Sequence, residues 1–134
     1  MVWGTKRREA LIDSARADAI ERSIRATCHD LDIVVHAIGF MPDHVHCVIS
    51  VPPQFAISTL VQKLKGESTH LLNHSAGRND VDWFAWQPEY GIMTFSESSL
   101  SDVVAYAQNQ RQRHAVDDLW ASYEILERRP AHAC

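Results

Sequence analysis

Apolar residues recur along this chain with two different periods. From Ser14 to Cys28, Ala15, Ile20, Ile24 and Cys28 fall at helical spacing, with Asp13 or Ser14 placed to cap the first turn. Leu31 to Met41 is β-branched and predicts a strand, which Pro42-Asp43 breaks as a turn. A second strand runs from His44 to about Val51, where Pro52-Pro53 stops it. From Ala56 to Asn73, Ile57, Leu60, Val61, Leu64 and Leu71 line one helical side; Gly66 weakens that helix without breaking it. "SAGRNDVD" reads as a polar loop, and "WFAWQPEYGIMTF" alternates aromatic and turn residues in the manner of a hairpin. A further helix starts at Ser96-Glu97 or Ser99 to Asp102, with Leu100, Val103, Val104 and Ala107 on its apolar side. "DDLWASYEILERRP" predicts a short terminal helix.

The order is strand, helix, two strands, helix, one or two strands, helix, helix. It predicts an α+β fold, with helices packed mainly on one face of an antiparallel sheet. At 134 residues, with no internal repeat or long linker, the chain is expected to form one domain over 1–134.

Composition narrows the function classes. No apolar run approaches the roughly 20 residues that span a bilayer, and the opening "MVWGTKRREA" lacks the apolar segment of a signal peptide. Three widely spaced cysteines do not make a disulfide scaffold, so a reducing cytoplasm is the expected location. The net charge of −4 argues against a protein that coats duplex DNA, since such binders are usually basic. Local basic patches remain at "TKRRE" and "RQR".

The chemistry sits in "GFMPDHVHCVISV". Residues i and i+2 of a strand share a face, so His44, His46 and Val48 lie on one side and Val45, Cys47 and Ile49 on the other. If Pro42-Asp43 is a two-residue turn, Phe40 lies opposite Val45, Gly39 opposite His46, Ile38 opposite Cys47 and Ala37 opposite Val48. One face is then core. The other carries two histidines beside small residues that leave room above the sheet. Two such imidazoles can converge on one metal ion, although an isolated His-x-His is more often a half-exposed polar pair. Tyr106, Gln110 and His114 fall at i, i+4 and i+8 of the late helix, which could bring a phenol and an amide to the same ion. Alone, that second pattern is equally compatible with a core tyrosine and a surface glutamine.

Taken together these segments resemble the HUH-motif single-tyrosine transposases of the insertion sequence 200/605 type, including the REP-associated tyrosine transposases. "MPDHVHCVI" is similar to the family's histidine strand and "YAQNQRQRH" to its tyrosine helix. "LVQKLKGEST", "WQPEYGIMTFSESS" and "VWGTKRRE" match flanking segments in the right order, from about Trp3 to about Leu126. The resemblance implies a ferredoxin-like palm, a homodimer, and cleavage and rejoining of single-stranded DNA near hairpins. Carried over by residue, it implies His44, His46 and Gln110 as ligands of Mg²⁺ or Mn²⁺ and Tyr106 as nucleophile. Lys63, Lys65, Arg111 and Arg113 are the basic residues expected at DNA phosphates. The acidic balance and a first strand almost at residue 1 depart from the family pattern. Two other readings compete: a non-catalytic, domesticated regulator that binds DNA hairpins, and a ferredoxin-like metalloprotein in which Tyr106 is structural.

Overall fold

A computed structural model describes residues 1–74 and 83–109. The polar loop of 75–82 and the terminal helix expected after residue 116 lie outside the described residues.

The described elements are β1 (Val2–Gly4), α1 (Ser14–Asp30), β2 (Val34–Met41), β3 (His44–Ser50), α2 (Ile57–Asn73) and α3 (Leu100–Gln108). The strands form an antiparallel sheet in the order β1-β3-β2, so the histidine strand is central. The hairpin register is the expected one: Phe40 pairs with Val45, Gly39 with His46, Ile38 with Cys47 and Ala37 with Val48. Pro42-Asp43 serves as its two-residue turn, because the preceding segment ties it down. Thr5 N donates to the Asp43 carbonyl at 2.8 Å and Ile12 N to the Pro42 carbonyl at 2.9 Å.

One sheet face carries Val45 and Cys47 of β3 and Trp3 of β1 against Ile20, Ile24 and Cys28 of α1 and Leu60 and Leu64 of α2. Asp13 caps α1, its carboxylate accepting from Arg16 N at 2.8 Å. That bond satisfies one of the orphan amides of the first turn, worth about 0.5–2 kcal/mol. The α2 stripe is displaced from the expected one at its end: Leu72 is buried and Leu71 faces outward. Helix α3 is the exception to one-sided packing. It lies on the opposite face, where Val103 and Ala107 pack on Ala37 and Val48. The sheet is therefore buried on both sides at its centre.

The segment 83–95 does not fold on itself as the expected hairpin. It runs along the open edge of β1 instead, bridging Trp86 to Thr5 and Gly91 to Val2 in antiparallel sense. This is the place of the fourth strand in a ferredoxin-like β-α-β-β-α-β arrangement. Pro88 lacks an amide hydrogen, and between the bridges α2 supplies the missing order. Lys65 Nζ donates to the carbonyls of Gln87, Pro88 and Glu89 at 2.8, 3.2 and 2.9 Å. Asn73 clamps both backbone groups of Phe84 at 2.8 Å. Ser68 accepts from the Trp86 indole at 3.0 Å.

Candidate active site

The site face of the sheet is built around two rows. His44 is flanked across the sheet by Gly4 and Met41, and His46 by Val2 and Gly39. Neither histidine is the half-exposed outer residue that an isolated pair would be: His44 is 1% and His46 6% exposed. Their rings meet edge to face with centroids 5.3 Å apart. Tyr106, 1% exposed, continues the line, its ring edge to face with His46 at 5.7 Å. The nucleophile candidate thus stands beside the histidine pair of its own chain.

Gly39 explains how the helix gets there. A Cβ at this position would lie 1.8 Å from the Ala107 carbonyl oxygen. The room left by the small residues is filled by the backbone of α3, one residue after Tyr106. A cavity of about 510 Å³ opens beside His46 and Tyr106, with Val48, Met93, Phe95 and Leu100 among its walls.

His44 is held from behind. Asp43 Oδ1 lies 2.7 Å from His44 Nδ1, and Arg8 Nε donates to Asp43 Oδ2 at 3.1 Å. Burial alone would raise the Asp43 carboxyl. The His44 hydrogen bond and the charges of His44 and Arg8 outweigh it and keep the acid below its ordinary value. Sequence reading gave Asp43 only a turn role and gave Arg8 no role at this site. The available signal was an acid directly before a candidate ligand histidine.

The other expected site residues divide. Gln110, Arg111, Arg113 and His114 lie outside the described residues. Among the described residues no cluster of three or more His, Cys, Asp or Glu side chains could hold a metal, so two imidazoles are the donors on hand. Imidazole donors of this kind can form part of the ligand set of a divalent ion. Lys63 is exposed and lies 3.7 Å from Glu67. Lys65 is engaged by the three carbonyls described above, and burial lowers its ammonium from the ordinary lysine range, with Glu89 opposing.

The ferredoxin-like sheet thus carries a buried Tyr–His–His line on one face. The comparisons give the family: residues 1–110 match the IS200-like transposases, and the chain belongs to that family. It is 28% identical over 116 residues to the ISDra2 transposase TnpA of Deinococcus radiodurans, an alignment covering 84% of this chain and 83% of that one. It is also similar to the crystal structure of a protein from Deinococcus radiodurans R1 assigned as a transposase. That match has a TM-score of 0.62 and 28% identity, covering 81% of this chain and 86% of the other. No described helix is long and apolar enough to cross a membrane.

Proposed function

We propose that this transposase cleaves and rejoins single-stranded DNA at hairpin-flanked ends through a 5′-phosphotyrosine, acting as a homodimer. The observation that carries the reading is the packing of Tyr106 on His46 and of His46 on His44 in one buried layer. Tyr106 touches His46, and His46 touches His44; a regulator that only grips hairpins has no use for such a buried line.

His44 and His46, with Gln110, would hold Mg²⁺ or Mn²⁺. A phenol with an ordinary pKa of about 10 is a weak nucleophile at neutral pH, and the ion, when bound, would supply Lewis acidity. Tyr106 Oη loses its proton and forms a bond to phosphorus, while the bond from phosphorus to the 3′ oxygen breaks. That oxygen takes up a proton and leaves as a free 3′-OH. The phosphodiester's energy is kept in the covalent link, so a 3′-OH reseals the strand by the reverse step without ATP. The sheet fixes the two histidines and α3 fixes the phenol, so the reacting groups are positioned before the strand arrives.

The test is incubation with single-stranded hairpin DNA from the flanks of the gene, with Mn²⁺, followed by denaturing electrophoresis. A covalent protein–DNA adduct is expected from the wild type and none from Tyr106→Phe, which removes only the phenolic oxygen and keeps hairpin binding. Cleavage by Tyr106→Phe would overturn the mechanism. Hairpin binding by the wild type without an adduct would favour the regulator.

A further inference from the structure

We propose that Arg8 and Asp43 are positioning residues that fix the tautomer of His44, so that its Nε2 carries the lone pair offered to the ion. The inference rests on the metal role of His44 proposed above. Only one in-plane position exists on Nδ1, filled by a proton or by a lone pair. The carboxylate Oδ1 of Asp43 stands 2.7 Å from that nitrogen. At this distance two lone pairs would repel, so the proton lies between them and Nδ1 donates. Arg8 Nη2, 3.2 Å from the same nitrogen, is then a neighbouring charge rather than a competing donor.

Arg8 in turn fixes the carboxylate. Its Nε and Nη2 both reach Asp43 Oδ2, at 3.1 and 3.0 Å. This leaves Oδ1 aimed at the ring. The guanidinium arrives there through a backbone that ordinary residues avoid: Arg7 and Arg8 have φ of 57° and 55°. That turn brings the side chain back over Gly4, where a Cβ would lie 2.9 Å from Arg8 Cδ and 3.2 Å from the Asp43 carbonyl oxygen. Gly4, Arg8, Asp43 and His44 form one chain of contacts from the edge of the sheet to the site. Such carboxylate partners orient a ligand histidine and raise its basicity, and their loss typically costs about 10–100-fold in metal affinity.

The experiment uses the full chain with ¹⁵N-labelled histidine and reads the His44 tautomer by NMR without metal, then Mn²⁺ affinity by calorimetry. Wild type is expected in the Nδ1–H form. Asp43→Ala is expected to lose that form and about 10–100-fold in Mn²⁺ affinity. Asp43→Asn is isosteric and still offers an oxygen to Nδ1–H, so it is expected to keep the tautomer and recover part of the affinity. Gly4→Ala, whose added methyl would meet Arg8 Cδ and the Asp43 carbonyl oxygen, is expected to weaken Mn²⁺ binding by displacing Arg8. An unchanged tautomer and affinity in Asp43→Ala would overturn the proposal; should that variant not fold, a Nε2–H tautomer in the wild type would overturn it equally. A wild type in the Nδ1–H form that binds no Mn²⁺ would overturn the metal reading and support the tautomer assignment.

Discussion

Two residues of β3 show how much one substitution of surroundings changes a side chain's chemistry. His46 and Cys47 are adjacent and both buried, yet they point to opposite faces. His46 meets another histidine and a tyrosine. Cys47 meets the apolar core, where burial pushes its thiol up to about 12 from an ordinary 9.0. A raised acid pKa means that stability resting on the neutral thiol is full below pH 9.0 and erodes as pH rises towards about 12. Near neutrality Cys47 is therefore a small hydrophobe. It should resist iodoacetamide at pH 8 in the native protein and react once urea unfolds the chain, as mass spectrometry of the labelled peptide would show. Rapid native labelling at Cys47 would refute its placement in the core.

At the scale of elements, the hairpin was the most legible part of the sequence. Period-two alternation and the Pro42-Asp43 break fix its register, and the register decides which residues face the site. The length of α1 and α2 followed from helical periodicity, with Asp13 marking a start. Two things were not legible. The segment 83–95 has the residues of a hairpin, but its partner is β1, distant in sequence, and Lys65, Ser68 and Asn73 set its path from another helix. The face chosen by α3 was also hidden, because its apolar side fits either face of the sheet. Gly39 was the clue, read as room but not as contact. Its consequence is testable: Gly39→Ala should push α3 outward, costing roughly 1–3 kcal/mol by overpacking. Cleavage should fall further, by about 10²-fold for a shift near 1 Å at Tyr106. Urea unfolding and single-turnover cleavage measure the two separately, and wild-type cleavage by this variant would show that the contact does not place the nucleophile.

Over the whole molecule, the sheet divides the labour. Among the described residues, the face under α1 and α2 carries the larger buried apolar cluster, including Trp3, Ile20, Ile24, Leu60 and Leu64, each 2% exposed or less. The other face has a smaller cluster of Ala37, Val48, Val103 and Ala107 around polar rings. Histidines are tolerated at the centre of the sheet because stability is secured largely on its far side. That separation was visible in the sequence as alternation; the identity of the cover over each face was not.

The fork of Lys65 has a consequence outside catalysis. An open sheet edge invites a second chain to pair with it, and proteins commonly block such edges with lysine, proline or irregular backbone. Here Pro88 interrupts the outermost segment among the described residues, and Lys65 occupies three consecutive carbonyls that a newcomer's amides would seek. Lys65→Met should free those carbonyls and produce concentration-dependent association in the absence of DNA, read by light scattering; a variant that scatters like the wild type at every concentration would deny the lysine this role. A side chain that the sequence offers to DNA would thereby deter copies of the protein from stacking into ribbons.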